Sequence, residues 1–121
     1  MKVETAGLAS NKTGHRFSVV VRDGEKQDNY VYDVSENYTL NQIELLAIKF
    51  AIMGVGSEQP ATITTASNYV SDMLEKNIQG WVKTPKSNTE LIEEIRALLD
   101  DSSVQLVLEK SETAKTLCKS K

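Results

Sequence analysis

Few side chains in this sequence are placed to do chemistry, and Glu44 stands first among them. It falls within Leu40-Asn41-Gln42-Ile43-Glu44-Leu45, beside apolar residues in a strongly hydrophobic segment. A carboxylate in such surroundings needs a partner or a task. Trp81 lies on a polar stretch with Lys83 and Lys86 close by. An aromatic face among cations is suited to a sugar–phosphate backbone or to stacking on a base; the alternative, favoured by the residue type, is a lid over the edge of a core. The single histidine, His15, has no carboxylate or cysteine beside it and reads as a surface residue. Cys118, the single cysteine, cannot form an internal disulfide or a zinc knuckle and reads as an inert thiol. Lys110, Lys115, Lys119 and Lys121 stand against Glu112 alone. That basic run either touches phosphate or is simply solvated. Glu90, Glu93, Glu94, Asp100 and Asp101 stand against Arg96 and make a face that repels polyanions.

These groups must be positioned by an α/β arrangement. Phe17 to Arg22 is rich in β-branched residues and predicts a strand, Asp23-Gly24 a turn, and Asn29 to Val34 the returning strand. Lys2 to Leu8 predicts a further strand, weakened by Gly7. Thr39 to Met53 is the clearest helix. Thr39 and Gln42 have capping-box spacing, and Gly54 stands where a left-handed C-cap is expected. Its apolar residues cover so much of the circumference that the helix must be largely buried. Ala61 to Thr65 predicts a strand, Ser67 a cap for a helix carrying Val70 and Leu74, and Ser87 with Glu90 the cap of another. Val104 to Leu108 is the last predicted strand, and 111–121 is expected to fray. The expected fold is a five-stranded mixed sheet, its first three strands an antiparallel meander, with flanking helices.

The chain's 121 residues suit one domain, 1–121, and the 40% apolar and 26% charged content is that of an ordinary folded protein. A net charge of −3 excludes coating of nucleic acid by bulk charge and leaves only local patches. Ile43 to Val55, interrupted by Glu44 and Lys49, is too short to cross a bilayer, so no membrane role is expected. No secretory signal is read at the start, and the lone cysteine fits a reducing, cytoplasmic compartment.

The order of elements, with four short motifs, resembles ribonuclease H of the bacterial type. Thr39-Leu40-Asn41-Gln42-Ile43-Glu44-Leu45 is similar to the family's T-N-N-Q/R-x-E-L, which presents a catalytic glutamate. Ile63 to Val70 resembles I-x-T-D-S-x-Y-V. Gly80-Trp81-Val82-Lys83, followed by Ser87-Asn88-Thr89-Glu90-Leu91, is similar to G-W-x-x and K-N-x-D/E-L, and Val104 to Lys110 is similar to the last strand. The resemblance implies cleavage of RNA in RNA–DNA hybrids by two magnesium or manganese ions held on four carboxylates. It also implies where this chain departs. The aspartate of T-D-G-S aligns with Ala6, that of T-D-S with Ala66, and neither the histidine loop nor the helix with the fourth carboxylate has a counterpart before Lys121. Asp28 and Asp72 are poorly placed to substitute. Glu44 is then either a residual ligand or a structural carboxylate, with no metal or other cofactor expected. Restoring aspartate at both alanines would give weak recovery at best.

The implied function is a catalytically inactive ribonuclease H-like domain that keeps weak affinity for RNA–DNA hybrid or other nucleic acid. Asn41, Gln42, Asn68, Trp81 and Lys83 along the old substrate groove would carry it. Asn41 and Gln42 are equally explained as helix-start residues. One alternative is a protein-interaction or scaffolding domain on the same fold. Another is a ribonuclease H whose aspartates were exchanged for alanine by design, although the absent histidine loop favours natural loss.

Overall fold

Alternating β-branched and polar residues in the first third of the chain build three long strands. In the computed structural model, which describes residues 1–55, 60–75, 86–110 and 112–120, these are β1 (Lys2–Ser10), β2 (Gly14–Asp23) and β3 (Lys26–Val34). They pair antiparallel in sequence order. Gly24, at φ 63, makes the β2–β3 turn as expected. There follow α1 (Leu40–Val55), β4 (Ala61–Thr65), α2 (Asn68–Glu75), α3 (Lys86–Asp100), β5 (Val104–Leu108) and α4 (Glu112–Ser120). β4 runs parallel to β1, and β5 parallel to β4. The result is the expected mixed sheet, in the order β3-β2-β1-β4-β5.

Successive strand residues point to opposite faces, so each face of the sheet has its own chemistry. On one face Val3, Phe17, Val19 and Ile63 pack against Ile43, Leu45, Ala47 and Ile48 of α1 and against Ile92 and Ile95 of α3. The start of α1 is capped as its sequence requires. The Thr39 N–H donates to Gln42 Oε1 at 2.9 Å, and the Gln42 N–H to Thr39 Oγ1 at 3.2 Å. Its end differs from expectation. The helix runs through Gly54, which has no positive φ, to Val55. Val55 packs against the core, so tertiary contact holds that last turn where a left-handed cap was expected. Likewise α3 begins at Lys86, one residue before the expected cap at Ser87.

The other face is polar, and here the structure corrects the sequence reading. Residues 112–120, expected to fray, form α4 across β1 and β2. Ala114 and Cys118 are buried, the latter 1% exposed. The Ser18 hydroxyl donates to the Ala114 carbonyl. The Arg16 guanidinium donates to the Cys118 carbonyl at 3.1 Å, and Arg22 Nη2 donates to Thr113 Oγ1 at 2.8 Å. Arg22 also pairs with the buried carboxylate of Glu4. The Arg16 bond meets a carbonyl in the last turn that has no partner within α4, and the three bonds replace the apolar stripe whose absence suggested a loose tail. His15 also departs from the surface reading: it is half-buried, and its Nδ1 has no hydrogen-bond partner among the described residues.

Candidate functional site

The parallel pair β1 and β4 sets the geometry of the site. Glu4 pairs with Thr64, and two residues further along come Ala6, within β1, and Ala66, just past the carboxyl end of β4. In sheets with parallel strands this is the end where ligands bind. Ala6 and Ala66 both line a cavity of about 550 Å³, together with Glu44 from α1 and Glu112 from α4. The sequence motifs that carry the two alanines and Glu44 therefore converge in space.

Glu44 approaches the sheet over Gly7. A Cβ on Gly7 would lie 2.8 Å from Glu44 Cγ and 3.2 Å from Ile43 Cγ2, so only glycine lets α1 sit this close. The Thr65–Ser67 turn lies beside Glu44, as the fold requires. The Ser67 side chain hydrogen-bonds the Glu44 carboxylate. Ser67 also caps α2, its Oγ accepting from the Val70 N–H at 3.2 Å. Burial pushes the Glu44 carboxyl above its ordinary value of 4.5, and the Ser67 bond offsets part of that rise. Burial likewise raises the Cys118 thiol, in keeping with an unreactive cysteine.

The raised Glu44 carboxyl makes stability depend on pH with a definite sign. Between the ordinary value and the raised one, the folded state holds the proton more tightly than the unfolded state. The resulting stabilisation is complete below the ordinary value and is lost as pH rises through the raised one. Glu44→Gln cannot ionise and escapes that loss. The stability of the variant relative to the parent is therefore expected to increase from pH 4 to pH 7, as measured by urea unfolding at both. A difference that does not change with pH would contradict this account.

Among the described residues, the other sequence-assigned side chains do not line the cavity itself. Asn41 is exposed on the first turn of α1, and Gln42 uses its side chain in the capping box. Asn68 is exposed at the start of α2, in a shallow recess with Ala66, Leu108 and Lys110. Trp81 and Lys83 lie outside the described residues. Asp28 is exposed on the outer strand β3, paired with Val21, away from the cavity. Sequence reasoning missed Glu112 as a lining residue and did not place Lys110, Lys115 and Lys119 at this site, which they also line. A signal was present. Glu112, Lys115 and Lys119 have helical spacing, with Ala114 and Cys118 on the covered side.

Among the described residues, no group of three or more histidine, cysteine, aspartate or glutamate side chains is placed to hold a metal ion. Two carboxylates with methyl groups between them do not match the oxygen-rich set that a hard dication takes. The donor set and a two-ion centre disagree.

A family model described as RNase H matches residues 3–116 of the chain. Among solved structures, the chain is similar to the RNase H1 of the halophilic archaeon Halobacterium salinarum NRC-1. The TM-score is 0.72 at 16% identity, over 98% of this chain and 93% of that one. It is similar to the PFV RNase H domain, at TM-score 0.67 and 15% identity, over 98% and 90% of the two chains. It is also similar to the foamy viral protease–reverse transcriptase solved in complex with RNA/DNA hybrid, at TM-score 0.66 and 17% identity. That match covers 98% of this chain and 18% of the viral one. At such identities the structural likeness concerns the fold alone. A search of curated proteins returns no match.

Proposed function

The chain belongs to the ribonuclease H family, and from that premise we propose that it is a member without metal-dependent nuclease activity that binds nucleic acid across the cavity beside Glu44. One observation carries the first half: Ala6 of β1 and Ala66, just past the end of β4, both line the cavity that Glu44 also lines. A methyl group donates nothing to magnesium or manganese, and the two-ion chemistry needs several carboxylates around both ions. The second half is supported by exposed Asn41 and Asn68 at the cavity's surroundings. A structural neighbour, the foamy viral enzyme, is solved with RNA/DNA hybrid. In this reading Gln42 is a positioning residue that holds Asn41 through the capping box, and Trp81 and Lys83, outside the described residues, are proposed as further contacts. The compartment proposed is cytoplasmic, in keeping with a single buried thiol. No helix among the described residues is long and apolar enough to cross a membrane.

A second reading, a protein-interaction domain, has one observation in its favour. α3 exposes Glu90, Glu93, Glu94 and Asp100, a surface that a polyanion avoids and a basic partner fits.

A short RNA–DNA hybrid, labelled for both anisotropy and gel analysis, distinguishes these readings. Binding at low salt without cleavage is the expected result, with magnesium or manganese present and protein in excess. Asn41→Ala and Asn68→Ala are expected to weaken the binding. Turnover that disappears in Glu44→Ala would overturn the inactive assignment. Absence of binding even at low salt would transfer the proposal to a protein partner.

A further inference from the structure

We propose that the cavity beside Glu44 is a metal-free phosphate site, in which the ammonium groups of Lys110, Lys115 and Lys119 receive successive phosphates of the nucleic-acid backbone. This rests on the binding reading above and names the chemistry of the contact.

Three lysines from two separate parts of the fold line the one cavity: Lys110 just beyond β5, and Lys115 and Lys119 one turn apart on α4. Among the described residues Lys2, Arg16, Arg22 and Lys49 each have a carboxylate partner, and none of these three lysines is in an ion pair. Ala6 and Ala66 place methyl groups where carboxylates would repel an anion. Glu44 and Glu112 are the only acidic residues lining the cavity among those described, so the three ammoniums outnumber the carboxylates.

The helix that carries Lys115 and Lys119 is fixed in place. Bonds from Arg16, Ser18 and Arg22 hold its covered side to the sheet, which leaves the other side to face a ligand. Lys110 also lines the recess that contains Asn68, so the phosphate site is continuous with a proposed contact to the backbone. The chemistry differs from that of a metal centre. An ammonium on a flexible stem attracts phosphate as a point charge and needs no octahedral set of oxygens. It does not generate hydroxide from water, so it holds the backbone without cutting it.

The test is hybrid binding by the full chain, measured against salt concentration in EDTA and then with magnesium at equal ionic strength. Affinity is expected to persist in EDTA and to gain nothing from magnesium. Lys115→Gln/Lys119→Gln is expected to lower the log–log salt slope by about 2, one for each lost phosphate contact. Lys115→Arg/Lys119→Arg is expected to retain it, and thermal unfolding of both variants confirms that they fold. Loss of binding in EDTA, or an unchanged slope in the glutamine variant, would overturn the phosphate site while hybrid binding itself stands. If the parent binds no hybrid, the binding reading fails on its own, and a titration with pyrophosphate decides the site separately. Amide NMR shifts at Ala6 and Ala66 that are lost in the glutamine variant support it, and their absence in the parent rejects it.

Discussion

Exchanging Gly7 for valine is expected to lower the free energy of unfolding by about 3 kcal/mol, towards the upper end of what forcing extra carbon into a packed region costs. In thermal unfolding this corresponds to a drop of roughly 10 °C in midpoint for a domain of this size. The reason lies in the approach of α1 to β1. The first added carbon would already meet Glu44 Cγ at 2.8 Å, Ile43 Cγ2 at 3.2 Å and the Glu44 backbone nitrogen at 3.4 Å. The Glu44 side chain must turn aside, the backbone nitrogen is at ordinary contact distance from that first carbon, and Ile43, which is fully buried, has little room to give way to the branched methyls beyond it. Valine therefore moves the helix. The natural control is Ala9→Val two residues along the same strand, at an exposed position. There the change is expected to stay within about 0.5 kcal/mol. Equal stability of the two variants would show that α1 does not sit where this account places it. Displacing α1 also moves Asn41 and Glu44, so hybrid binding by Gly7→Val is expected to fall with stability.

Ala6→Asp/Ala66→Asp is expected to turn the cavity into a cation site, with at least about a hundredfold gain in manganese affinity over the parent. A carboxylate about 4 Å from a single positive charge contributes roughly 4 kcal/mol at an effective dielectric near 20. Desolvation and the nearby lysines oppose much of this, and about 2.7 kcal/mol of surplus suffices for the hundredfold. The sequence reading expected weak recovery at best, because no fourth carboxylate was visible. That expectation concerns cleavage; for cation binding, Glu112 at the head of α4 lines the same cavity as Ala6, Glu44 and Ala66. Isothermal titration with manganese measures the gain. Adding Glu112→Ala to the double variant is expected to remove most of it. A double variant that binds no better than the parent, or a gain indifferent to Glu112, would show that these four positions do not share one site. The same protein mixed with RNA–DNA hybrid then reports whether cleavage accompanies the metal.

Much of the fold was legible because its signals are local. The strands β2 and β4 follow from runs of β-branched residues, and the start of α1 from Thr39 and Gln42, whose side chains satisfy backbone groups three residues away. Ser67 was readable as a cap for the same reason. The two alanines were legible at once, since a methyl group has no lone pair wherever the fold puts it. Gly54 misled because a cap signal competes with packing, and Val55 against the core prevailed.

By itself, then, the sequence determined the order of elements, the meander, the helix that carries Glu44, and the chemical nature of Ala6 and Ala66. Only the tertiary structure decided that residues 112–120 are a helix. Nine residues are too few to sustain a helix alone in water. This one is held by bonds from Arg16 and Ser18, which precede their partners by 102 and 96 positions. No local pattern records a contact across that distance. The same packing brings Lys115, Lys119 and Glu112 to the cavity that Ala6 and Ala66 line, and makes Gly7, a weakness in a strand read alone, the residue that lets Glu44 reach the site.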